Sequence, residues 1–174
     1  MRSGEMRERK HNRLSGYDYS SDALYFVSSC THDRIHHFGI VKSSQMNQNV
    51  YGEIAQKQWF WLAEKYNYVI LHQFVVMPNH IHGIIEINRY RDIVGTGRDL
   101  SLRDNNIKIK SLSELMGAFK TTTSKQIHQL GNAGFSWQRS FHDHIIRTPN
   151  DYERISNYIA TNPQNWEDDT FFNE

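Results

Sequence analysis

Apolar residues recur along this chain in two rhythms, every second position and every third or fourth, and the switches between them lay out its elements. Ala23–Cys30 is an apolar segment that opens a strand at Leu24-Tyr25-Phe26-Val27, and His32, His36 and His37 follow it in a loop-like stretch. Tyr51, Ile54, Trp61 and Leu62 share one face of a helix over Val50–Lys65. Residues 68–77 and 81–87 read as two strands, and the Pro78-Asn79 link between them is short enough to require antiparallel pairing. The stretch 88–110 is a long polar loop whose Gly95-Thr96-Gly97 is too short for a phosphate-binding fingerprint. Ser111-Leu112-Ser113-Glu114 then forms a capping box, and Leu112, Leu115, Met116, Phe119, Thr123, Ile127 and Leu130 keep helical spacing up to Gly131. Residues 135–146 supply a further strand. In the last helix Thr148 and Asn150 can accept the first free amides, Asp151 and Glu153 suit the positive end of the dipole, and Pro163 marks the stop. Tyr152, Ile155 and Ile159 form its apolar face.

The order strand, helix, strand, strand, helix, strand, helix predicts an α+β fold, compatible with a ferredoxin-like antiparallel sheet carrying helices on one face. No internal repeat and no domain boundary interrupts it. The chain divides into a basic arm over 1–16, one domain over 17–166 and an acidic tail over 167–174.

The strand rhythm gives the first chemical lead. In Met77-Pro78-Asn79-His80-Ile81-His82-Gly83-Ile84-Ile85-Glu86-Ile87 the two histidines project from one face of a strand, with Ile81 behind them. Two neutral imidazoles on a rigid element supply half a coordination shell for a divalent cation. Two polar residues on a solvated sheet face would satisfy the same spacing. A second lead comes from the last helix, where Tyr158 precedes Asn162 by one turn, so a phenol and a carboxamide share an edge. A buried Asn needs a partner, and a metal would be one; a simple C-terminal Asn before proline is the plainer alternative.

Together with Phe135-Ser136-Trp137-Gln138-Arg139-Ser140-Phe141-His142-Asp143-His144-Ile145-Ile146-Arg147, these motifs resemble the single-tyrosine HUH transposases of the smallest insertion sequences, and among them the REP-associated tyrosine transposases. The resemblance runs from about Arg9 to Trp166. It implies a ferredoxin-like domain with its catalytic tyrosine, here Tyr158, on the last main helix. It implies a divalent metal, Mg or Mn, on His80, His82 and Asn162. The expected activity is cleavage and joining of single-stranded DNA at palindromic repeat hairpins through a 5′-phosphotyrosine, by a monomer or a homodimer. His144 occupies the place of a histidine in the family's Phe-x-x-His pattern and is a possible neighbour of the active site. Because His142-Asp143-His144 repeats the His-x-His spacing, a four-histidine zinc site is a rival arrangement. A non-catalytic module that binds single-stranded nucleic acid is a further alternative.

Composition narrows the setting more than the partner. With 38% hydrophobic and 13% aromatic residues the chain can bury an ordinary core. No apolar run approaches the roughly 20 residues that span a bilayer, and the charged start lacks the apolar centre of a signal peptide, so a cytoplasmic protein with no membrane partner is expected. The single cysteine, Cys30, is expected to be a buried free thiol. A net charge of +1 does not announce a nucleic-acid binder, but its distribution is uneven. Arg9, Lys10 and Arg13 lie in a basic arm, Lys120 and Lys125 flank a run of hydroxyl residues on one helix, and Arg139 and Arg147 border the last strand. Each is a candidate phosphate contact; for the arm a solvated terminus is an equal alternative, and for the other four solvated surface is the more common fate of any one.

Overall fold

A computed structural model describes residues 13–90 and 108–172 of the chain. Arg9 and Lys10 of the basic arm, and most of the 88–110 loop, lie outside the described residues. Strand β1 is Ala23–Cys30, β2 Gly39–Lys42, β3 Gln45–Gln48, β4 Val69–Met77, β5 His80–Ile87 and β6 His142–Ile146. The helices are α1 Val50–Lys65, α2 Leu112–Gln129 and α3 Pro149–Thr161, and a 3-10 segment, Asn162–Asp168, continues α3.

Four strands form one antiparallel sheet in the order β4-β5-β1-β6, the ferredoxin-like arrangement the element order predicted. Strand alternation divides its side chains between two cores. Tyr25, Val27, Ile81, Ile85 and Ile87 face α1 and α2, where Trp59, Leu62, Leu115, Met116 and Phe119 meet them. Ile84, Phe26 and Leu24 face the other way and pack with Ile155 and Ile159 of α3. Two helices therefore share one face as expected, while α3 covers the opposite face, where Leu24, Phe26 and Ile84 give it an apolar seat. Among the described residues no helix is long and apolar enough to cross a membrane.

Three local readings change. The chain after β1 contains a separate hairpin, β2–β3, that periodicity did not reveal; its turn is made by Ser43 and Ser44 at φ 51° and 60°, without the glycine that usually marks such a turn. On α1 the fully buried indole is Trp59, whereas Trp61 is only partly buried. The strand expected over 135–146 is regular only from His142. Before it, Phe135, Trp137 and Phe141 leave the ladder and fill the core, held by a single bridge between Thr31 and Trp137.

Candidate active site

The site forms where β5 passes beneath α3. β5 pairs with β1 so that His82 lies opposite Ser28 and His80 opposite Cys30, which sets both imidazoles on the α3 face. Neither is solvated: His80 is 0% and His82 1% exposed, so the open-face alternative for the pair does not hold. Their Nε2 atoms are 3.0 Å apart. The Nδ1 of His80 meets Asn79 Oδ1 at 2.8 Å, and the Asn79 amide nitrogen donates to the carbonyls of Arg34 and Phe171. Those two donations fix the amide orientation, so Oδ1 accepts, the His80 proton sits on Nδ1 and its Nε2 carries the lone pair. His82 Nδ1 is anchored by Ser28 Oγ at 2.6 Å.

Helix α3 delivers the phenol. Thr148 caps it by accepting from the Asp151 amide and Pro149 occupies its first turn, so the helix starts at a defined point. With Ile155 and Ile159 seated on the sheet, the hydroxyl of Tyr158 reaches 3.1 Å from His82 Nε2 while the residue stays 41% exposed. One turn later Asn162 is buried, its Nδ2 donating to Asp169 Oδ2 at 2.7 Å and its Oδ1 without a hydrogen-bond partner. Asp169 also accepts from Tyr158 at 3.3 Å and from the Phe171 amide.

The electrostatics follow from this burial. Desolvation pushes His82 down to about 4, although Asp169 opposes the shift, and it drives His80 well below the usual imidazole range, with the His82 neighbour adding to it. Both rings are therefore neutral, as metal ligands must be. Burial, and then the charge of Asp169, pushes the Tyr158 phenol up to about 12.

His80, His82 and Asp169 offer ligand atoms that all lie within 4.8 Å of one another. The residues fit a divalent cation on a second count, since the orphaned Asn162 Oδ1 is an acceptor in want of a positive partner. The rival zinc site does not assemble among the described residues. His144 is turned to Asp151 at 2.7 Å, and His142 and His144 line a cavity of about 510 Å³ beside the site rather than joining the ligand cluster.

Other candidates take different places. Arg13 lies 3.8 Å from Asp143 and stacks over Phe141, so it is fastened to the domain. Lys120 donates to the carbonyls of Gln138 and Ser140, and its burial lowers it to about 8. With Lys125 and Arg139 it borders an open groove of about 780 Å³ that includes no carboxylate among its lining residues. Arg147 stands apart, beside Asp143, His144 and Asp151. Tyr152, expected to be purely apolar, hydrogen-bonds His72 at 3.1 Å, and His72 in turn meets Glu86. Asp169 and Phe171 were not singled out from the sequence: nothing in the acidic run 167–169 distinguishes the residue that turns inward.

Similar proteins bear on the family and the fold. An uncharacterized protein of Haemophilus influenzae is 32% identical over 169 residues, spanning 94% of this chain and 93% of its own length. This chain and that protein belong to one family. The structure of a REP-associated tyrosine transposase bound to a REP hairpin superposes with a TM-score of 0.58 at 18% identity, covering 92% of this chain and 74% of the other. The fold is that of the REP-associated tyrosine transposase. A transposase structure from Deinococcus radiodurans superposes more loosely, with a TM-score of 0.43 at 15% identity over 85% of this chain and 95% of that one, too loosely to bear on the fold. No protein-family model matches the chain.

Proposed function

We propose that this chain is a metal-dependent single-strand DNA endonuclease and strand transferase, with Tyr158 as nucleophile and a 5′-phosphotyrosine intermediate, acting on hairpins of palindromic repeats. The observation that carries the reading is the 3.1 Å approach of a half-exposed phenol to a fully buried pair of neutral histidines. A buried imidazole pair stabilises a protein poorly by itself, and a phenol beside it has no packing reason to remain open to solvent. The hairpin-bound transposase of the same fold makes DNA the natural substrate class.

His80, His82, Asn162 and Asp169 would hold the cation. When bound, Mg or Mn would supply the positive charge that polarises a phosphodiester oxygen and offsets charge in the transition state, and the mixed nitrogen and oxygen donors leave both metals open. Tyr158 attacks phosphorus, its hydroxyl oriented by the hydrogen bond it donates to Asp169. Asn79 holds His80 in its tautomer and orientation, and Ser28 holds the orientation of His82. The groove bordered by Lys120, Lys125 and Arg139 is suited to the phosphates of a hairpin stem, with Arg147 and the arm carrying Arg9, Lys10 and Arg13 as further contacts.

The test is incubation of a labelled repeat hairpin with protein and Mn²⁺ or Mg²⁺, followed by denaturing electrophoresis. Wild type and Tyr152→Phe should yield DNA that migrates with the protein, and Tyr158→Phe, which removes one oxygen and little volume, should yield none. An adduct that survives in Tyr158→Phe would refute the nucleophile. Hairpin binding without any adduct in wild type would point to the non-catalytic binding module.

A further inference from the structure

We propose that His144, held by Asp151, is the general acid that protonates the departing 3′ oxygen when Tyr158 attacks the phosphodiester; the role rests on the reading above. The sheet register places it. His82 pairs with Ser28 and Ser28 with His142, so these three form a row across β5, β1 and β6, and His144 stands two residues further along the same face, opposite Phe26. One cavity of about 510 Å³ is lined by Tyr158 and His82 together with His142, His144 and Arg154. That volume is in the range that accommodates a nucleotide-sized group.

A proton donor at this position must be accessible and oriented. The side chain of His144 is 48% exposed, and its Nε2 meets Asp151 Oδ2 at 2.7 Å. Asp151 takes a second hydrogen bond from Arg154 on its other oxygen, and the two donors hold its carboxyl below the usual carboxylate range. An anionic carboxylate only accepts, so His144 keeps a proton on Nε2 in both of its states and exchanges the one on Nδ1. His142 lines the same cavity, but among the described residues no carboxylate hydrogen-bonds it.

The step balances. The oxygen of Tyr158, a residue 41% open to solvent, bonds to phosphorus and releases its proton to water, the bond from phosphorus to the 3′ oxygen breaks, and that oxygen takes the Nδ1 proton of His144. In rejoining, the neutral His144 removes the same proton from the 3′-hydroxyl as it attacks the phosphotyrosine, the bond from phosphorus to the Tyr158 oxygen breaks, and that oxygen takes a proton from water.

The experiment replaces the scissile 3′ oxygen of the hairpin by sulfur, because a thiolate leaves without needing a proton. On the ordinary hairpin His144→Ala and His144→Gln should lose roughly 10²–10⁴-fold in cleavage rate, the span typical of a general acid. On the 3′-thio hairpin both should cleave within a few-fold of wild type, while Tyr158→Phe stays inactive on both substrates. Equal loss on both substrates would overturn the proposal, since it would mark a structural or binding role. So would selective rescue of His142→Ala instead. If wild type forms no adduct with either hairpin, the nuclease reading fails, and that result is distinct from a selective failure of His144.

Discussion

Two imidazoles buried side by side stay folded comfortably only while both are neutral. An unfolded chain takes up protons on these residues near pH 6.5, whereas folded His82 resists until about 4, chiefly through burial, and burial holds His80 well below the usual imidazole range as well. Below 6.5 the unfolded state thus binds more protons, so the stability contributed by the pair is complete above that pH and is lost as pH falls through about 4. In the presence of chelator the melting temperature should drop steeply between pH 6.5 and 4, and His80→Gln/His82→Gln should flatten that profile. For His82 alone the effect is on the order of 3 kcal/mol. A wild-type profile as flat as that of the double variant would contradict the neutral, buried pair. At this scale His80, His82, Tyr158 and Asn162 could be read from spacing, because strand and helix periodicity alone align each pair. Asp169 could not, since no local rule selects one acid in Glu167-Asp168-Asp169.

Elements depend on close approaches that a hydrophobic pattern does not contain. β5 crosses Trp59 of α1 at Gly83, where an added Cβ would come within 2.4 Å of the indole, itself stacked on Phe74 at a centroid distance of 4.6 Å. Gly83→Ala should therefore overpack the junction and cost about 1–3 kcal/mol, visible as a lower urea midpoint at unchanged slope. Because Gly83 adjoins His82, the same variant should also slow adduct formation. The helices were legible from their caps and apolar spacing, down to the Ser111–Glu114 capping box. The β2–β3 hairpin was not, because its strands are short and its turn is built from two serines. Residues 135–141 read as strand since they alternate, yet their aromatic side chains gain more by filling the core than by extending the ladder.

Across the whole molecule, the groove beside α2 and the cavity under α3 share no lining residue, and in the proposed function the first holds a stem and the second cuts a strand. Lys125→Ala/Arg139→Ala should weaken hairpin binding and reduce the salt slope of the affinity by about 2, close to one per lost phosphate contact. Adduct formation at saturating hairpin should persist. An unchanged slope would remove the groove from the DNA path.

The sequence by itself determined the periodicities and their order: an α+β chain, two histidines on one face of a strand, and a phenol one turn before an asparagine. These are properties of neighbouring residues, fixed by the two-residue repeat of a strand and the 3.6-residue repeat of a helix. Only the tertiary structure decided that α3 covers the face opposite α1 and α2, that Tyr158 meets His82 across 76 residues of chain, and that Asp169 comes within 4.8 Å of both histidines. Those outcomes depend on strand pairing and on which apolar surfaces bury each other, and such pairings are selected by the packing of the entire core.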